Sequence, residues 1–218
     1  MNRWVILDVG ETLIDETRVW STWADHLGIP RFTFLSLVGA EIARGGQHQD
    51  VFARVGIANW REWAYSVEGE YEGFKPVDLY PDALRSMAVL RDRGFRLAVI
   101  ANQPAQRTAE LRALGVEAEV IAMSMEMGIS KPDPAFFARA LELIGSPPPG
   151  EVAYVGDRVE NDVMPAIEAG MRAVWIRRGP WGLIQQLPPG IVPALVVDSL
   201  DELAERIDEA WPEAPGPH

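Results

Sequence analysis

The chain has 218 residues, of which 48% are hydrophobic and 24% are charged, and this composition excludes intrinsic disorder and fibrous repeats. It contains no cysteine, so disulfides, thiolate zinc sites and a cysteine nucleophile are excluded. The 20 Lys and Arg residues against 32 Asp and Glu residues give a net charge of -12, which disfavours binding to nucleic acids and to anionic membranes.

Short apolar runs bounded by turn residues recur along the chain and predict buried parallel strands. The predicted strands are 4–7, 97–100, 120–122, 152–155, 173–176 and 195–197. Helical patterns lie between them, at 81–93, 104–114, 134–144, 163–169 and 200–210. This alternation predicts an α/β fold, with a Rossmann-like open parallel sheet flanked by helices.

One stretch, residues 16–77, breaks the alternation because its apolar spacing is helical throughout. We interpret it as a small all-helical cap inserted after the first strand. The predicted α/β core is then 1–15 and 78–211, and the Pro-rich end at 212–218 is predicted to be a frayed tail.

Asp8 follows the first predicted strand, where ligands bind in open α/β sheets. It could also be a turn aspartate that caps the next segment. A further alternative is suggested by Asp-x-Gly-x-Thr, which resembles the first phosphate loop of sugar kinases and actin-like ATPases. Those folds continue into a β-hairpin, whereas residues 13–17 lead into a helical pattern here.

Three later segments place polar residues at predicted strand ends or before a predicted helix. They are Ala101-Asn102, the stretch 124–134 with its Lys-Pro-Asp-Pro, and the stretch 154–162 with its Gly-Asp-x-x-x-Asn-Asp. Together with Asp8-Val9-Gly10-Glu11-Thr12, they resemble the haloacid dehalogenase superfamily, specifically its phosphatase-like branch with a helical cap after the first core strand. The resemblance extends from Trp4 to about Leu203.

The resemblance implies a role for each matching residue. Asp8 would be the nucleophile that forms an aspartyl-phosphate. Asp157 would bind Mg²⁺ together with Asp8 and the backbone carbonyl of Gly10, and Asp162 would lie beside them. Lys131 would pair with both Asp8 and the phosphoryl group as a compact positive charge.

Composition supports a specific role for Lys131 independently, because the arginine-rich chain has only one other lysine, Lys75. The alternative for Asp157 and Asp162 is helix capping.

Two departures from the family pattern bear on catalysis. Gly10 stands where phosphatases of this family carry an acid–base aspartate. Glu11 is an unfavourable substitute because adjacent side chains should point apart, but a residue of the cap could serve. Ala101 replaces a Ser or Thr that binds the phosphoryl group, unless Asn102 or a backbone N–H takes over. Since acid–base catalysis contributes about 10² to 10⁴ in rate, we expect a weak enzyme or one restricted to good leaving groups.

The predicted cap offers Arg44 and His48, with Gln47 and Asp50, near the bend at Gly45-Gly46. These residues are candidate substrate contacts, and the alternative is an ordinary solvated face.

The sequence thus predicts a cytoplasmic, Mg²⁺-dependent hydrolase of small phosphorylated molecules. No apolar stretch reaches the roughly 18 residues of a membrane span, and the first residues do not resemble a signal peptide. One alternative is a catalytically degenerate binding module. Another is a metal-independent 2-haloacid dehalogenase, which the Asp157 and Asp162 pair disfavours. The oligomeric state stays open.

Overall fold

The computed structural model describes residues 3–212. Its six strands are β1 (Trp4–Leu7), β2 (Arg96–Ala101), β3 (Val120–Met123), β4 (Val152–Gly156), β5 (Arg172–Ile176) and β6 (Leu195–Val197). All pair in parallel in the order β3-β2-β1-β4-β5-β6. The predicted open α/β sheet is therefore confirmed. The predicted tail lies outside the described residues except for Pro212.

The described residues form eleven α-helices. They are α1 (Thr17–His26), α2 (Arg31–Ala43), α3 (Asp50–Arg54), α4 (Trp60–Tyr71), α5 (Ala83–Asp92), α6 (Arg107–Ala113), α7 (Ser124–Met127), α8 (Pro134–Leu143), α9 (Met164–Glu168), α10 (Gly179–Ile184) and α11 (Leu200–Arg206). Helices α5 and α6 begin two or three residues later than predicted, because the chain first closes tight turns there. None of the helices in residues 3–212 is long and apolar enough to cross a membrane.

The two central strands, β1 and β4, are buried on both faces, which explains why they appear in the sequence as continuous apolar runs. Alternate residues of β1 enter different cores. Val5 and Leu7 pack in one apolar cluster, whereas Trp4 and Ile6 pack in a second cluster on the opposite face. The sheet is therefore fixed between two layers, and its strand ends form a rigid edge.

Helices α1 to α4, which we call the helical insertion, lie between β1 and α5 in the chain. They share a third apolar cluster that contains Trp23, Phe34 and Phe52. Trp181 of α10 also packs in this cluster, so the segment after β5 contributes to the core of the insertion. The division of the chain into domains at 15/16 and 77/78 stays a prediction.

Candidate functional site

Sheet topology brings the end of β1 next to the ends of β2 and β4. Leu7, the last residue of β1, is in register with Val99 and Val155. The next residue, Asp8, donates its backbone N–H to the carbonyl of Val155 at 2.9 Å. The side chain that follows the central strand is thereby fixed at the carboxyl edge of the sheet, where strand order reverses direction.

Lys131 lies at the centre of a buried group of acids. Its ammonium nitrogen is 2.8 Å from Asp8 Oδ1 and 2.6 Å from Asp162 Oδ1, and its side chain is fully buried. Burial alone would lower the pKa of Lys131, but the charges of Asp162 and Asp8 outweigh burial and raise it. Lys131 is therefore a permanent cation at this position.

The side chain of Asn102 orients the loop that carries Lys131. Its amide nitrogen donates to the Lys131 carbonyl at 2.9 Å, and its oxygen accepts the Lys131 N–H at 2.8 Å. These two bonds use the side-chain oxygen and one of the two amide hydrogens, so one N–H donor of Asn102 is left for a phosphoryl group. Asn102 borders the same cavity as Asp8 and Lys131.

Asp157 and Asp162 follow β4, and Gly156 makes their arrangement possible. A Cβ atom at Gly156 would overlap the Asp162 carboxyl group, so only glycine allows this close approach. The second oxygen of Asp162 accepts the Arg158 N–H at 3.0 Å. The indole N–H of Trp175 donates a hydrogen bond to the backbone carbonyl of Asp157 at 2.8 Å. The loop after β4 is thus positioned by its own Asp162 carboxylate and by Trp175 of β5.

The acids in this group outnumber the cations. Oxygens of Asp8, Asp157 and Asp162 all lie within 4.8 Å of one another, and Asp157 Oδ2 is buried with no hydrogen-bond partner among the described residues. Burial first, and then the charges of Asp162 and Asp8, raise the pKa of Asp157 well above its usual value. Hard oxygen donors with an uncompensated charge suit Mg²⁺, so the residues present fit this ion.

Asp8, Lys131 and Asp157 form the charged floor of a cavity of about 340 Å³, with Gly10 also at its border. Aromatic side chains line it as well, among them Trp20, Trp23, His48 and Trp181. A larger cavity of about 700 Å³, bordered by Trp4 and Arg96, contains none of the predicted site residues. The smaller cavity therefore combines the buried charges with an aromatic wall.

The structure separates the two candidates from the bend of the insertion. His48 borders the cavity, whereas Arg44 does not. The Arg44 side chain is 60% exposed and pairs with Glu41 at 3.2 Å. Gln47 contacts the core instead, since its side-chain oxygen accepts a hydrogen bond from Arg158 at 2.5 Å. Arg44 thus lies on a solvated face, which was the alternative to a substrate contact.

His48 is held between two indole rings, with ring centroids 5.0 Å from Trp20 and 5.8 Å from Trp181 in edge-on contacts. Its Nδ1 is buried without a hydrogen-bond partner among the described residues. Burial, with a smaller contribution from the charge of Arg158, lowers the pKa of His48 to about 3. The ring is therefore neutral at physiological pH.

We expect acid to destabilise the protein through His48. The pKa of His48 is about 6.5 in the unfolded chain but about 3 in the folded protein. The unfolded chain therefore takes up a proton that the folded protein does not, and the folded protein loses stability as the pH falls below 6.5. Between pH 7 and pH 5, the free energy of unfolding should decrease by about 2 kcal/mol more in wild type than in His48→Phe. Chemical denaturation at both pH values measures this. His26→Phe is the control, and equal slopes in wild type and His48→Phe would contradict the expectation.

Two acidic residues before α1 also border the cavity. Glu11 has a left-handed backbone, with φ of 50°, and borders the cavity. Burial first, and then the charge of Glu16, raise the pKa of Glu11 to about 7. Burial also raises the pKa of Glu16. Glu11 and Glu16 therefore both bind a proton more readily than an exposed glutamate.

Comparison with known proteins identifies related sequences. The family model described as haloacid dehalogenase-like hydrolase matches residues 3–170. A glyceraldehyde 3-phosphate phosphatase of Methanopyrus kandleri is 34% identical over 60% of this chain and 57% of the relative. A phosphoserine phosphatase of Thermus thermophilus is 39% identical over 59% of this chain and 52% of the relative. The chain thus matches little more than half the length of these relatives.

Solved structures show the same fold. The HAD hydrolase YfnB of Bacillus subtilis, in a magnesium-bound form, superposes with a TM-score of 0.72 at 19% identity, covering 95% of this chain and 99% of that one. A HAD phosphatase from Thermococcus onnurineus superposes with a TM-score of 0.61 at 24% identity, covering 94% and 97%.

Proposed function

Because the chain belongs to the haloacid dehalogenase-like hydrolases, we propose that it is a Mg²⁺-dependent phosphohydrolase that acts on small phosphorylated molecules through an aspartyl-phosphate on Asp8. The buried group of Asp8, Lys131, Asp157 and Asp162 carries this proposal. A nucleophilic carboxylate, a fixed cation and an uncompensated acid meet at one cavity. The related phosphatases act on phosphate monoesters according to their names, which supports the same substrate class.

In the proposed reaction, Asp8 attacks phosphorus and the bond to the leaving oxygen breaks. Lys131 keeps Asp8 oriented through the 2.8 Å contact and would neutralise charge on the phosphoryl group. We assign Mg²⁺ to Asp8, Asp157 and the Gly10 carbonyl, with Asp162 beside them. When bound, the metal lowers the repulsion between a carboxylate and a phosphate dianion.

The cavity limits the size and shape of the substrate. At about 340 Å³ it accommodates a small metabolite rather than a polymer. His48, Trp20 and Trp181 surround the space above the charged floor, so the part of the substrate beyond the phosphate would contact aromatic surface. We therefore propose a small phosphorylated metabolite with an apolar or planar portion.

Magnesium should stabilise the folded protein. At about 100 times its dissociation constant, the expected gain is about 2.7 kcal/mol, or a rise in Tm of about 5 to 10 °C. The gain should vanish in Asp157→Asn, because that residue supplies the partnerless oxygen. Thermal unfolding with Mg²⁺ or with a chelator measures the shift, and Asp133→Asn, at a helix start outside the acidic group, is the control. An equal shift in wild type and Asp157→Asn would exclude this metal assignment.

Turnover separates the proposal from its alternative. Gly10 and Ala101 lack the groups that the family uses for acid–base chemistry and phosphoryl binding, and they favour a binding module that has lost turnover. Hydrolysis of para-nitrophenyl phosphate that needs Mg²⁺ would support the enzyme. Stabilisation by Mg²⁺ without hydrolysis of any phosphate would support the binding module instead.

A further inference from the structure

Glu16 occupies an unusual place at the start of the helical insertion. It is the residue before α1, a position where side chains commonly cap the helix, yet its carboxylate makes no capping hydrogen bond. The side chain instead borders the cavity that contains Asp8, Lys131 and Asp157. The first helix of the insertion thus delivers a carboxyl group to the proposed reaction site.

The Glu16 carboxyl group takes the space next to Gly10. A Cβ atom built on Gly10 would lie 2.5 Å from Glu16 Oε1 and 2.9 Å from Glu16 Cδ, closer than packed atoms can approach. Any side chain at position 10 would begin where this carboxyl group lies. A side chain at position 10 and the Glu16 carboxyl group in its present place therefore exclude each other.

The contacts of Glu16 leave it available for chemistry. Its oxygens accept only long hydrogen bonds, 3.3 Å from Trp20 Nε1 and 3.4 Å from Gln103 Nε2, and within residues 3–212 it forms no ion pair. Glu11 differs, because its oxygens accept the Tyr80 hydroxyl at 2.5 Å and the Glu16 N–H at 3.0 Å. Of these two acids, Glu16 is the one whose carboxyl group is not committed to the local fold.

We infer that Glu16 supplies the acid–base carboxyl group that Gly10 lacks, an inference that rests on the phosphohydrolase function proposed above. As Asp8 bonds to phosphorus, the electron pair of the breaking bond goes to the leaving oxygen, which takes the proton of Glu16. Water then attacks the aspartyl-phosphate and gives a proton to the Glu16 carboxylate. The phosphorus–Asp8 bond breaks, releasing inorganic phosphate and restoring both acids.

This assignment changes the expected substrate range. The sequence pattern alone implied restriction to good leaving groups, because position 10 has no proton donor. With Glu16 in that role, alkyl phosphate esters become substrates as well, since their poor leaving group can be protonated.

The isosteric variant Glu16→Gln tests the inference with two substrates. On glycerol phosphate, an alkyl ester, kcat should fall by about 10² to 10⁴. On para-nitrophenyl phosphate, whose leaving group needs no proton, a rapid burst of about one nitrophenolate per active site should precede slow turnover, because dephosphorylation of Asp8 has lost its base. Asp15→Asn is the matched control, since it makes the same change one residue away, where the side chain binds only the Thr17 N–H.

A second test moves the carboxyl group from position 16 to position 10. Gly10→Asp alone should give no more activity than wild type, because the new carboxyl group displaces that of Glu16 instead of adding to it. Gly10→Asp with Glu16→Ala should hydrolyse glycerol phosphate at least 10-fold faster than Glu16→Gln. Gly10→Ala with Glu16→Ala fills the same space without a carboxyl group and should stay inactive.

The results separate this inference from the proposed function. If Glu16→Gln keeps wild-type kcat on glycerol phosphate, or loses activity equally on both substrates without a burst and is not rescued by the transferred carboxyl group, the inference is wrong while the phosphohydrolase stands. If wild type hydrolyses neither substrate with Mg²⁺, the proposed function fails, and the acid–base role of Glu16 fails with it.

Discussion

Asp8→Asn is expected to lower kcat by about 10⁴ or more, because an amide cannot form the aspartyl-phosphate. The folded state should be retained, since the backbone of Asp8 stays bound to Val155. Steady-state hydrolysis of para-nitrophenyl phosphate with Mg²⁺ gives the loss. Mass spectrometry of acid-quenched protein should find a phosphate adduct on wild type and none on the variant.

The same variant should not be less stable when Mg²⁺ is removed. Three buried carboxylates face a single lysine, and the substitution neutralises one of them while Lys131 keeps its 2.6 Å contact with Asp162. Thermal unfolding with a chelator is therefore expected to give an equal or higher Tm for Asp8→Asn. Turnover retained within 10-fold of wild type would exclude Asp8 as the nucleophile. A misfolded variant would contradict the expectation that neutralising one of the three buried carboxylates does not lower stability.

Lys131→Met should abolish activity and also destabilise the protein by about 3 to 5 kcal/mol without metal. Methionine is one atom shorter than lysine and uncharged, so it leaves Asp8, Asp157 and Asp162 with no buried cation. Burial, with the charge of Asp8 adding to it, raises the pKa of Asp162 to about 6 even with Lys131 present, and the variant should raise it further.

The raised pKa of Asp162 determines how the stability of Lys131→Met depends on pH. An acid whose pKa is higher in the folded state stabilises the fold at low pH and loses this contribution as the pH rises through the folded pKa. The stability deficit of Lys131→Met should therefore be small near pH 4 and grow above pH 6, as chemical denaturation across this range would measure.

Lys131→Arg separates charge from shape. Arginine should keep more stability than methionine yet recover little activity, because a planar guanidinium does not fit the fully buried place of an ammonium between Asp8 and Asp162. Lys75→Arg, on the surface beside Glu72, is the control. If Lys131→Arg turned over substrate at the wild-type rate, the proposed role of a compact ammonium beside Asp8 and the phosphoryl group would be wrong.

Local sequence was enough to predict the sheet and the place of Asp8 at its edge. Strands buried on both faces need continuous apolar runs, and ligands of such sheets bind at the carboxyl ends of the strands, where Asp8 follows β1. The family resemblance added Asp157 and Lys131. The buried ion pairs of Lys131 now give a physical reason for one of only two lysines in the chain.

Side-chain direction was decided by tertiary packing alone. Sequence spacing says nothing about whether Glu16 caps its helix or fills the space beside Gly10, and that choice depends on how α1 leaves the end of β1. Trp181 joins the insertion from a segment more than a hundred residues away, and Arg44 faces solvent although its neighbour His48 faces the cavity. Periodicity reports which face of an element is apolar, whereas these contacts join elements whose relative positions no local pattern contains.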